Sequence, residues 1–101
     1  MKKIRILFLS IFILSIANSA EIVNIKYRGY KDLADYDCGV TSYRSSFIYR
    51  LCYRDDSLVL KLKNTYYEFC AVPLDKILKL QHAKSPGRYF VYNIKGKFNC
   101  K

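Results

Sequence analysis

The stretch Tyr66-Tyr67-Glu68-Phe69-Cys70-Ala71-Val72-Pro73 predicts a strand that ends at a proline and leads into a helix. Aromatic residues are frequent in strands, and proline is tolerated at the first helical position because its missing N–H has no partner there. Apolar residues then recur at helical spacing, at Leu74, Ile77 and Leu78. We therefore predict one amphipathic helix over residues 73–83.

Two further strands are predicted before this stretch. Residues 45–53 are rich in apolar and aromatic side chains, and the Asp and Ser side chains of residues 54–57 are typical of a turn. Residues 58–63 alternate between leucine or valine and lysine, which is typical of a half-buried strand. A second turn is predicted at residues 64–65, and the helix has to bury its apolar stripe on one face of the strands.

The predicted fold class is therefore α+β. It is a small three-stranded antiparallel β-meander, covered by one amphipathic helix and followed by a short C-terminal tail. The tail is ambiguous because Phe90, Tyr92 and Ile94 alternate like a strand, whereas Phe90 and Ile94 are also four residues apart. Ser85 before Pro86 is a helix-start signal, so the helical alternative is favoured.

The N-terminus has the pattern of a secretory signal peptide. Positions 2, 3 and 5 are basic, residues 6–16 form an apolar run, and residues 17–20 are small enough for a signal peptidase, with cleavage after Ser19 or Ala20. The run is shorter than the ~20 residues of a membrane-spanning helix, so no anchor is expected after cleavage. The chain is divided into a signal peptide, an irregular lead segment and a folded domain: residues 1–20, 21–40 and 41–101.

Four cysteines follow the predicted signal peptide, and an even number in a short exported chain indicates two disulfides. No Cys-x-x-Cys pair is present, so the spacing does not favour zinc. Counting from the two turns places Cys52 and Cys70 in one row, two strands apart. That separation of about 9–10 Å is too long for a disulfide, unless Cys70 has already left the sheet. We predict that each of them pairs with an outer cysteine, and two arrangements stay open: Cys38–Cys52 with Cys70–Cys100, or Cys38–Cys70 with Cys52–Cys100.

The sequence contains no recognisable catalytic set. Asp55 and Asp56 are adjacent at a predicted turn, His82 is the only histidine, and Ser45 has no plausible base. We predict a non-enzymatic protein without a cofactor or a bound metal.

The remaining signal is charge together with aromatic content. The chain has 18 Lys and Arg residues against 8 Asp and Glu, a net charge of +10, with ten tyrosines and six phenylalanines. The favoured function is an exported module that binds a protein or the anionic cell envelope, in a bacterial periplasm or outside the cell. The alternative is binding of a polyanion, with nucleic acid as a less favoured ligand. The candidate residues for that alternative are Lys61, Lys63, Lys76, Lys79 and Arg88.

An ordered set of short motifs resembles a known family. The set comprises Ser45-Ser46, Tyr53, the leucine strand, Tyr67-x-Phe69, Val72-Pro73 and Ser85-x-Gly87. It is similar to the KTSC domain, named for the lysyl-tRNA synthetase C-terminus, and to its exported four-cysteine branch. The family has a central Tyr-x-Tyr motif, in which Phe69 replaces the second tyrosine here, and Val91 stands where an asparagine is expected. The resemblance implies no known activity, although RNA binding has been suggested for the family, which is an association only.

Overall fold

The computed structural model describes residues 19–101, so the predicted signal peptide lies almost entirely outside the described residues. The described part contains six strands and two helices. The strands are β1 (Ile22–Ile25), β2 (Gly29–Asp32), β3 (Asp37–Gly39), β4 (Ile48–Arg54), β5 (Ser57–Leu62) and β6 (Thr65–Phe69). The helices are α1 (Leu74–His82) and α2 (Pro86–Asn93). Neither described helix is long and apolar enough to cross a membrane.

All six strands form one mixed sheet in the order β2-β1-β6-β5-β4-β3. Neighbouring strands are antiparallel except β1 and β6, which run parallel and meet at Ile25 and Tyr66. The prediction of a three-stranded meander under one helix is therefore wrong. The additional strands come from residues 21–40, most of which were predicted to be irregular. These strands are only three or four residues long and are separated by turns, so their pairing depends on the edges that β4 and β6 offer.

The sheet packs on both faces, which the predicted meander did not include. Leu58 and Leu60 of β5 face the helices and are fully buried in the main core, with Ile77 and Leu80 of α1. Val59, between them, faces the opposite side and belongs to a smaller core. The smaller core consists of Ile25, Leu33, Cys52 and Val59. The residues of the lead segment are thus needed to cover the second face.

A bulge in β4 explains a pattern that simple alternation does not predict. The register shifts between Ile48 and Arg50, and an extra residue in one strand reverses which side chains face the core. Ile48 and Leu51 therefore both enter the main core although they are three positions apart. Arg50 is directed to the other face, where it donates hydrogen bonds to Glu21 and to the Tyr66 hydroxyl.

Two disulfides are present, Cys38–Cys52 and Cys70–Cys100, which confirms that each inner cysteine pairs with an outer one. Cys38 and Cys52 are direct partners across β3 and β4. The predicted row of Cys52 with Cys70 is wrong, since Val59 pairs with Cys52 on one side and with Glu68 on the other. The second turn begins at Lys63 and not at the following residue, and this shifts the register so that Glu68, and not Cys70, lies opposite Val59. Strand β6 ends at Phe69, and Cys70 follows it.

The link from β6 to α1 bends sharply. Ala71 has a φ of 57°, a left-handed conformation that is uncommon for a residue with a Cβ. The Val72 N–H then donates to the Asp56 carbonyl at 2.9 Å, and Val72 itself is fully buried. Pro73 precedes the first helical residue. The tail forms α2 and is followed by a single bridge between Phe69 and Asn99.

Candidate anion-binding groove

Three pockets share lining residues one with the next, and two of them lie beside α2. We call the three together the groove and name each section by its lining. The basic section, about 490 Å³, lies between the segment before β4 and the start of α2. Its charged side chains are Arg44, Lys84 and Arg88, all exposed. Hydroxyl groups lie between them, from Ser46 and Ser85 among others. The exposed Tyr92 ring, four residues after Arg88 on the helix, completes this section.

The aromatic section, about 450 Å³, adjoins the basic section at Phe47 and Val91, which line both. Its other apolar lining residues are Leu62, Tyr67, Phe69 and Phe90, with Lys95 and Asn99 as polar ones. Phe47 and Phe69 each meet Phe90 edge to face, at centroid distances of 6.1 and 5.6 Å. This arrangement, which is common for aromatic pairs, fixes the floor of the section.

The tail section, about 340 Å³, shares Tyr67, Phe69 and Asn99 with the aromatic section. It lies between the β1–β2 turn and the C-terminal residues, beside the Cys70–Cys100 disulfide. Its basic residues are Lys26, Arg28 and Lys101. The disulfide and the β1–β2 hairpin therefore position this end of the groove.

The charges of the groove have one sign, apart from a single carboxylate that is already neutralised. Seven basic residues line its three sections, and Glu68 is the only acidic side chain among the described residues that line them; Arg28, one of the seven, is its ion-pair partner. The Glu68 side chain is 4% exposed. Its Oε1 accepts a hydrogen bond from Arg28 and its Oε2 one from Ser57, each at 2.9 Å, and Oε2 also lies 3.3 Å from the Lys31 ammonium. A ligand in the groove therefore meets cations and apolar rings but almost no open carboxylate.

These contacts also set the ionisation of Glu68. Burial alone raises the pKa of a carboxyl group. The Ser57 hydrogen bond and the charges of Lys31 and Arg28 outweigh that effect, so the pKa of Glu68 lies below its ordinary value. The carboxylate is charged at neutral pH and ties the β1–β2 hairpin to β6.

The five lysine and arginine residues predicted from the sequence to bind a polyanion do not form one surface. Arg88 lines the groove. Lys61 lies on the opposite face of the sheet, over the Tyr66 ring, and Lys63 lies in the β5–β6 turn. Lys76 and Lys79 lie on α1. Binding by these four residues stays a prediction, and the groove offers a different set.

Several of the motif residues that carry the family resemblance line the groove, among them Ser45 and Ser46 in the basic section. Tyr67 and Phe69 line the aromatic section, and Ser85 and Gly87 line the basic one. Val72 and Pro73 instead belong to the bend before α1. The sequence reasoning missed Arg44 and Lys84, although each directly precedes a motif serine. Their position in the sequence could have indicated this location, because a basic residue next to a motif residue in a loop lies close to that motif residue in the structure.

Two other constellations in the described part carry no recognisable chemistry. The Ser42 hydroxyl lies 2.9 Å from His82 Nδ1, but both side chains are exposed and no carboxylate of the described residues pairs with His82 to orient its imidazole. Glu68 lies near Cys70 and Cys100, but both sulfur atoms are held in a disulfide. These sulfurs are therefore not thiolates that could bind a metal.

Comparison with known protein families matches residues 44–98 to the KTSC domain. No curated protein and no solved structure matches the chain. The matched residues contain β4, β5, β6 and both helices, whereas β1, β2 and β3 precede them. Each disulfide joins one cysteine inside the match to one outside it. Since the match spans more than half of the chain, the chain belongs to the KTSC domain family.

Proposed function

We propose that this chain is an exported, non-enzymatic binding module that captures an anionic partner along the groove. One observation carries the proposal: seven basic side chains line the groove against one acidic side chain, Glu68, and only Arg28 of the seven is paired with it, so six cations are left for a partner. A cleft lined by one sign of charge focuses the electrostatic field and attracts oppositely charged ligands.

The proposed location follows from the N-terminal sequence and the cysteines. Two disulfides are typical of an oxidising compartment outside the cytosol. The signal-peptide pattern of residues 1–20 supports export to a bacterial periplasm or the extracellular space. The mass of the exported chain tests this, since it should begin at Ala20 or Glu21. A mass that retains Met1 would contradict export with cleavage.

The binding test uses a matched pair of charge variants. Lys84→Gln with Arg88→Gln removes two positive charges from the basic section, and Lys76→Gln with Lys79→Gln removes two from α1, outside the groove. Exposed charge pairs contribute about 0.2–1 kcal/mol each, so the groove variant should bind roughly 2- to 30-fold more weakly. The control variant should bind nearly as the natural chain does.

Fluorescence anisotropy with labelled heparin and labelled poly-glutamate measures this difference, at several salt concentrations. The affinity should fall as salt rises, because the groove charges are exposed and screened. Equal weakening in both variants would mean that net charge, and not the groove, is responsible. A larger loss in the Lys76 and Lys79 variant would favour the residues predicted from the sequence.

A further inference from the structure

The aromatic section shares lining residues with two sections that carry cations. This order of basic, apolar and basic sections indicates which kind of ligand fits the groove. Arg44, Lys84 and Arg88 lie at one end, and Lys26 and Lys101 at the other. We infer that the partner is an acidic polypeptide segment with one large apolar side chain, which fills the aromatic section while acidic residues on both sides pair with the cations. The inference rests on the proposed function and specifies the partner.

The aromatic section has the form of a pocket for one anchoring side chain. Its floor consists of Phe69 and Phe90, which are 8% and 4% exposed, and its wall includes Val91, which is 45% exposed. Protein interfaces concentrate their binding energy in such apolar pockets, surrounded by a polar rim. Lys95 and Asn99 supply polar groups at this section. A volume of about 450 Å³ accommodates a leucine or phenylalanine side chain.

Within the aromatic section the geometry of the rings favours a peptide side chain over a nucleobase, whereas the exposed Tyr27 and Tyr92 rings lie in the flanking sections. A base binds by stacking on an exposed ring face. Phe47, Phe69 and Phe90 instead meet edge to face, and the last two are almost entirely buried. The section therefore offers ring edges and aliphatic groups, which contact a compact side chain well. An anionic polysaccharide has no comparable apolar group to place there.

Two acidic peptides test the inference by anisotropy. Both consist of glutamates, and one has a central phenylalanine where the other has alanine. The phenylalanine peptide should bind about tenfold or more tightly, because only its ring buries apolar surface. Val91→Gln should remove most of this preference, which is measured as the ratio of the two peptide affinities in the variant against the same ratio in the natural chain. Leu78→Gln is the matched control, since Leu78 is a partly exposed apolar residue of a helix outside the groove, and it should preserve the preference.

The other outcomes separate this inference from the proposed function. Equal affinity for the two peptides would overturn the acidic-apolar partner while leaving anion capture intact. Tighter binding of a single-stranded oligonucleotide of equal charge would also overturn it, in favour of nucleic acid. Failure of every acidic probe to bind would overturn the proposed function itself.

Discussion

Replacement of Gly87 by alanine is expected to destabilise the fold through a single contact. A Cβ at this position would lie 2.7 Å from Phe47 Cε1 and 3.2 Å from Cζ. Ordinary carbon–carbon contacts are about 3.5–4.0 Å, so the ring has to move by most of an ångström. Phe47 packs against Phe90, which is buried in the main core, and this packing resists the movement.

The size of the effect follows from two opposing contributions. Inserting a methyl group into a tightly packed site costs about 1–3 kcal/mol. Alanine also has a higher helix propensity than glycine, by up to about 1 kcal/mol in a helix interior and less in the first turn. The net loss should be roughly 1–2 kcal/mol. For a domain of this size each kcal/mol lowers Tm by about 4–8 °C.

Thermal and urea unfolding of five chains, the four of a double-mutant cycle and one control, provide the test. In a Phe47→Leu background the obstructing ring atoms are absent, so Gly87→Ala should become neutral or stabilising. Gly39→Ala is the control, because a Cβ at Gly39 meets nothing within 4 Å and its φ is ordinary. A loss of stability that is the same with and without the Phe47 ring would refute the reasoning, since the double-mutant cycle would then show no coupling.

Three further predictions concern the core, the disulfides and pH. Leu58→Ala should cost about 2–5 kcal/mol, because Leu58 is fully buried, whereas Leu78→Ala should cost far less; urea unfolding compares them. Replacing both Cys70 and Cys100 by alanine should cost about 3–4 kcal/mol in a chain-entropy estimate, measured in the same way. The pKa of Glu68 is lowered by folding, so its contribution to stability is complete above the ordinary glutamate pKa of about 4.3 and is lost as pH falls through the folded value. Glu68→Gln should therefore flatten the acid limb of the stability curve, and an unchanged limb would contradict this role.

The sequence predicted local elements well where a pattern had one physical cause. The alternation of Leu58 and Leu60, the helix after Pro73 and the pairing of inner with outer cysteines depend on periodicity, proline chemistry and strand spacing. The fold class was nevertheless wrong. The strands of residues 21–40 pair only because β4 and β6 present free edges, and such long-range pairing is not encoded in the lead segment alone.

The candidate groove was predictable only in part, for a similar reason. The motif residues that line it were identified in the sequence, but their common location was not, since it needs β6, α2 and the tail in their final places. The predicted lysines were selected because they alternate with apolar residues in a strand or lie on the polar side of a helix. The face on which such a lysine lies depends on how its strand or helix packs in the final structure. An error of one residue in the second turn, at Lys63, displaced Cys70 by two positions relative to its predicted row.

The parallel pairing of β1 with β6 has a consequence for the order of folding. Arg28 and Glu68 are 40 residues apart in the sequence, yet they are partners in the native structure. The β1–β2 hairpin is synthesised first, but its place in the sheet does not exist until β6 has formed. Closing so long a loop is slow compared with forming neighbouring hairpins. Docking of this hairpin should therefore be a late step, and mutations in β1 should mainly accelerate unfolding while leaving the folding rate almost unchanged.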